Sequence, residues 1–203
     1  MRSIAAIPIF TSFLLSSTGV MAENYCASVD QASQVQEYYT EAPGAMPPIA
    51  SMRTGLTEAI VVSGLADGQA VSTSGEHFAE IWEAMGSWGE STFLIMKGQN
   101  VFEIRSKVGK GAPSKSSDYF NIEYEQPVRG HLRPDLYASI YAVEMPGRGD
   151  ATIRGVLFYG EDGASEFGVF ISGDSVDPTE DDIANFNEVK DLIASKGSVC
   201  SAR

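Results

Sequence analysis

Positive charge is scarce in this sequence: 14 lysines and arginines stand against 27 aspartates and glutamates, a formal charge of −13. So acidic a surface repels nucleic acid and anionic lipid at long range, which argues against nonspecific DNA binding and charge-driven membrane attachment. Histidine and cysteine are scarcer still, two of each. Two histidines, with two cysteines at opposite ends of the chain, cannot readily assemble the three or four close ligands of a zinc site. A glycine-rich phosphate loop is absent, and Ser63-Gly64 and Ser172-Gly173 lack the flanking pattern of a nucleophile elbow. No apolar run reaches the roughly 20 residues that a membrane-spanning helix needs, so no stable membrane insertion is expected. Internal repeats, low-complexity tracts and charged linkers are missing as well, which leaves one domain. No catalytic residue stands out, and nothing in the pattern points to hydrolysis.

One shorter apolar run is informative. Arg2 precedes it, residues 4–15 are interrupted only by Pro8, Thr11 and Ser12, and Val20-Met21-Ala22 puts small residues at −3 and −1 of a cleavage point. A basic start, a short apolar core and small residues before the cut are the parts of a signal peptide. The expectation is a signal peptide over residues 1–22, cleaved after Ala22, then a single domain over 23–203 in the periplasm or outside the cell. Cys26 and Cys200 then lie close to the two ends of the mature chain, in a compartment where a disulfide persists. Their pairing would tie both ends together and contribute up to ~5 kcal/mol in the chain-entropy picture. Two free thiols, or a lipidated Cys26, are the alternatives; Asn24-Tyr25 is unlike the small residues lipidation wants.

Residues 31–42 look helical, with Pro43-Gly44 ending them. Pro47 and Pro48 open a short helix through Met52, and residues 56–63 form a third. Phe78, Ile81, Trp82, Met85 and Trp88 recur at helical spacing and predict a helix over 76–88. The pattern then changes to strands. Residues 92–96 and 101–105 flank Lys97-Gly98-Gln99-Asn100 as a hairpin, and further strands are expected at 119–124, 136–143, 152–159 and 167–171. A last helix is read from Asp177 as N-cap, Pro178 at the first position and Glu180 at the third. Its buried stripe is Ile183, Phe186, Val189 and Ile193, with Gly197 after its end. Helices at both ends of about six strands make an α+β domain with an antiparallel sheet.

The two histidines read differently. His77 begins a helix among acids and reads as a surface residue. His131 lies in Arg129-Gly130-His131-Leu132-Arg133-Pro134-Asp135, placed between two strands. An imidazole between two arginines in so acidic a chain is a candidate anion site, against the plainer reading of a histidine hydrogen-bonding a turn. This segment, with Asp118-Tyr119-Phe120-Asn121-Ile122 before it, resembles the signature of the ChuX/HutX haem-utilisation family. The order of the other segments is similar: Trp88-Gly89 and the hairpin ending Val101-Phe102-Glu103-Ile104, then Val156-Leu157-Phe158-Tyr159, Gly163, Phe167, Val169-Phe170-Ile171, Asp174 and a final helix with Ile183, Phe186 and Leu192. The likeness spans roughly residues 34–195.

The resemblance implies a curved antiparallel sheet holding haem in a cleft, with an N-terminal helical segment and a C-terminal helix, in an intracellular carrier that is usually a homodimer. The same fold is related to each half of the HemS/ChuS haem-degrading proteins. His131 matches the family's histidine after glycine, and Tyr119 falls in its tyrosine-containing segment. Met96 stands where the first hairpin strand often ends in histidine. His131, Tyr119 and Met96 are thus the candidate ligands of the iron of haem b, since histidine, methionine and tyrosinate all serve that role. Arg129 and Arg133 are the candidate partners of the propionates. The expectation is an exported haem carrier or buffer in haem-iron utilisation, partnered by haem and by components of haem transport. A haem-degrading enzyme and a haem-less interaction module on the same scaffold are the alternatives.

Overall fold

The computed structural model describes residues 26–98, 100–171 and 177–200. The expected signal peptide, Ser172-Gly173 and Asp174 lie outside the described residues. Three helices come first: α1 (Val29–Glu41), α2 (Pro47–Thr54) and α3 (Glu58–Ser63). α1 begins two residues before the periodic pattern because Ser28 and Gln31 form a reciprocal capping box, which satisfies two otherwise orphaned backbone donors. β1 (Ala70–Ser74) leads through a 3-10 turn (Gly75–His77) into α4 (Phe78–Met85). Trp88, expected on that helix, lies past its end but is still buried, with its indole N–H donating to the Asn185 carbonyl at 3.3 Å.

The strands that follow are β2 (Ser91–Lys97), β3 (Asn100–Ser106), β4 (Gly111–Pro113), β5 (Phe120–Ile122), β6 (Gly130–Leu132), β7 (Tyr137–Pro146), β8 (Thr152–Gly160) and β9 (Ser165–Phe170). α5 (Glu180–Ser195) closes the fold. It is capped two residues later than expected: Thr179, not Asp177, is the N-cap, and Asp182, not Glu180, completes the box. In that register Thr179 and Asp182 each accept the other's backbone N–H.

Six strands form one antiparallel sheet in the order β1-β7-β8-β9-β2-β3, and β4-β5-β6 form a second, small antiparallel sheet. The α+β class, the antiparallel pairing, the N-terminal helices and the C-terminal helix are as read from the sequence. β8 explains the two-layered core. Val156 and Phe158 face one side with α4, α5 and the small sheet, while Leu157 and Tyr159 face the other with α1 to α3. A central strand covered on both faces must be apolar at every position, and residues 156–159 are. No helix among the described residues is long and apolar enough to cross a membrane.

Cys26 and Cys200 are bonded to each other, with their Cα atoms 5.6 Å apart at a sequence separation of 174. The bridge fastens the segment before α1 to the segment after α5, and the Tyr141 hydroxyl lies 3.4 Å from the Cys200 sulfur.

Candidate functional site

The small sheet carries the histidine. On β5, Phe120 and Ile122 point into the core, and Phe120 meets Phe78 edge to face at 5.1 Å between ring centres. Strand alternation therefore turns Asn121 to the opposite face. β6 alternates in the same way, with Leu132 packed against the core and His131 exposed. Gly130-His131-Leu132 was expected as a connector between strands; it is itself a strand, too short to show a period. Its first residue, Gly130, has φ +151°, a conformation that side-chain-bearing L-residues rarely adopt.

Register sets Asn121 directly across from His131. The imidazole Nδ1 lies 2.6 Å from the Asn121 amide oxygen. The Tyr119 ring stands edge-on beside the imidazole, 5.9 Å between centres. The Arg133 guanidinium sits 5.5 Å from the centre of the Tyr119 ring and is gripped by the Asp135 carboxylate through two hydrogen bonds of 2.8 and 2.6 Å. That grip holds the Arg133 guanidinium above, and the Asp135 carboxyl below, their ordinary ranges. Arg129 lies 5.9 Å from the centre of the Tyr124 ring, and no ion pair to it exists among the described residues. His131, Tyr119, Arg129 and Arg133 thus come together around one small sheet, and of the two arginines Arg129 is the cation not already neutralised.

Between the small sheet and the large one runs a cleft of about 340 Å³. Ile122 and Leu132 form one wall; Trp82, Phe93, Ile95 and Phe167 form the other. His131 and Arg133 border it on the side of β6, Tyr137 and Glu166 on the side of the large sheet. Burial pushes the Tyr137 phenol up, with the Glu166 and Asp135 charges adding to it, so it stays a neutral hydroxyl. A second hollow of about 310 Å³ lies past Tyr119, bordered by Glu76, Asp118 and Asp135. Its carboxylates oppose an anionic ligand, so the apolar cleft is the better receptor for a flat, apolar molecule with acidic groups at one edge.

The structure does not bring Met96 to this place. Along β2, Phe93 and Ile95 face the cleft and Leu94 and Met96 face the layer of α1 to α3. Met96 therefore packs on the far side of the large sheet from His131, and its neighbour Ile95 occupies the position facing the cleft. His77 stands apart as well, 3.5 Å from the Glu76 carboxylate on the turn before α4. Asn121 was quoted in the sequence signature without a role. A β5–β6 hairpin register would have found it, had β6 been legible as a strand.

The family model for haem utilisation ChuX/HutX matches residues 71–189. No curated protein matches the chain. Among solved structures, a protein of Agrobacterium tumefaciens is similar with a TM-score of 0.68 and 23% identity, over 90% of this chain and 99% of that one. The heme-binding protein ChuX is similar with a TM-score of 0.67 and 19% identity, over 78% of this chain and 97% of that one. PhuS, a heme-binding protein from Pseudomonas aeruginosa, has a TM-score of 0.63 and 17% identity; 83% of this chain matches 48% of PhuS, so the chain spans about half of it. At these identities the likeness is one of fold.

Proposed function

Because the chain belongs to the ChuX/HutX haem-utilisation family, we propose that it binds haem b at the β5–β6 face, outside the cytosol, as a carrier or buffer. The observation that carries this reading is an exposed imidazole at the border of an apolar cleft. Haem held there would supply an iron centre able to accept a protein nitrogen ligand. The residues fit such a ligand. His131, exposed on the outer face of β6 at the cleft's border, would offer the nitrogen; the Ile122–Leu132 and Phe93–Phe167 walls on the inner side would take the apolar part of a flat ring, and Arg129 would offer a charge for a propionate. Arg133 serves less directly, because Asp135 already holds its guanidinium. Tyr119 is the second candidate ligand. It stands beside His131 on the same small sheet, so either side chain would be placed to hold the iron. With Met96 behind the sheet, a His/Met pair within one chain is not part of the proposal. A single protein ligand suits a molecule that must release its cargo.

Export belongs to the proposal, supported by the residue pattern of 1–22 and by a disulfide joining the chain's ends. So do exchange of haem with transport components and a homodimer, which the family resemblance implies. Titrating the oxidised protein with hemin should give a saturable Soret shift at one haem per chain; no saturable shift would sink haem binding. Reductant in air, with catalase present, should leave the Soret band intact, whereas bleaching would assign a degrading activity. Cell fractionation with N-terminal sequencing should find a chain beginning at Glu23 in the periplasm or medium, and an intact cytosolic chain would overturn export.

A further inference from the structure

We infer that Asn121 is a positioning residue that fixes the tautomer and the orientation of His131. The inference rests on the haem-binding reading of the same face. The amide oxygen of Asn121 can only accept a hydrogen bond, so at 2.6 Å the proton on the shared line belongs to His131 Nδ1. Nε2 is then the nitrogen with the free lone pair, the one able to bind a metal. A histidine side chain free in water prefers the opposite tautomer, so the Asn121 contact does something the imidazole would not do alone.

The amide is well held for this task. Cross-strand register places Asn121 directly opposite His131, and its neighbours Phe120 and Ile122 are anchored in the core on either side. The Tyr119 ring stands edge-on to the imidazole at 5.9 Å between centres. A hydrogen bond between two surface side chains adds little to folding. Its effect is on the ligand: a carbonyl accepting from the distal N–H fixes the ring and raises the basicity of the coordinating nitrogen. An amide does this moderately. A carboxylate at the same place would push the ring further toward imidazolate and favour ferric iron; an apolar residue would do neither.

The test has an arm without haem and an arm with it. In the haem-free protein, long-range proton–nitrogen NMR reads both histidines. His131 should carry its proton on Nδ1, and in Asn121→Leu the population should move toward Nε2–H. With haem bound and reduced, the iron–histidine stretching frequency should fall in Asn121→Leu and rise in Asn121→Asp, with hemin affinity in the Leu variant about tenfold lower. Because the two substitutions move the frequency in opposite directions, general damage to the fold cannot mimic the series. A His131 protonated on Nε2 in the wild-type protein overturns the inference. So do frequencies unchanged in both variants while His131→Ala still abolishes the normal spectrum, and in that case haem binding survives and Asn121 alone loses its role. Absence of hemin binding in the wild-type protein removes the functional reading together with the purpose assigned to Asn121.

Discussion

Tyr159 sits in the helix-facing core with its ring fully buried against Tyr141, 5.7 Å between centres, and its hydroxyl has no hydrogen-bond partner among the described residues. Burial drives its ionisation far out of reach, and the nearby Glu58, Tyr39 and Tyr141 push the same way. An unsatisfied buried hydroxyl costs stability, so Tyr159→Phe is expected to leave unfolding free energy unchanged or to raise it by up to about 2 kcal/mol. A loss of more than about 1 kcal/mol in urea unfolding would mean that the hydroxyl is bonded after all. Glu144 is the opposite case. Burial pushes its carboxyl up, but Lys190 and then Arg154, by hydrogen bonds and charge, outweigh it and hold it below the ordinary value of 4.5. A depressed carboxyl stabilises the fold fully above its ordinary value and loses that contribution as pH falls through the folded value. Glu144→Gln should therefore cost about 2 kcal/mol at neutral pH, with the gap to wild type closing in acid; an equal gap at both would contradict the ion network. His131 was singled out in the sequence as an imidazole between two of the few basic groups, and as a candidate ligand by the family resemblance. Asn121 was not, because its role depends on which residue lies across from it.

At the scale of elements, the site hangs on a hairpin of two three-residue strands. Helix 78–85 and strand 152–160 announce themselves by period or by a continuous apolar run. Three residues have no period, so β4 and β6 could not be read, and neither could β1, whose Ala-Val-Ser-Thr-Ser is held by pairing with β7 rather than by propensity. Met96 shows the cost of a one-residue ambiguity: in a strand, a shift of one position moves a side chain to the other face of the sheet. Gly130 is the conformational hinge of the site. A Cβ there meets no neighbour within 4 Å, so Gly130→Ala is a test of backbone conformation alone. It should destabilise by about 1–2 kcal/mol and broaden the His131 resonances as β6 loses its register against Asn121. An unchanged His131 environment would show that the positive φ is dispensable.

Over the whole molecule, two layers of helix share one sheet, and the disulfide joins the segments that flank them. The covalent link acts on the unfolded chain more than on any contact in the folded one. Replacing both cysteines by serine should lower stability by up to ~5 kcal/mol, less if the unfolded chain keeps structure, while leaving the β5–β6 face intact. Normal hemin spectra on a protein of much lower Tm are the expected result. An unchanged Tm would mean that the ends are held without the bridge. The pairing was expected from the positions of the two cysteines and from the expectation of export; the layer order was not, because it follows from long-range strand pairing.

The central claim is that His131 holds the iron and Met96 does not. Hemin titrations of wild type, His131→Ala and Met96→Leu, followed in the Soret band, test it most directly. The account predicts that His131→Ala loses the wild-type spectrum and most of the affinity, while Met96→Leu matches wild type; an unchanged His131→Ala spectrum, or loss in Met96→Leu alone, would contradict it.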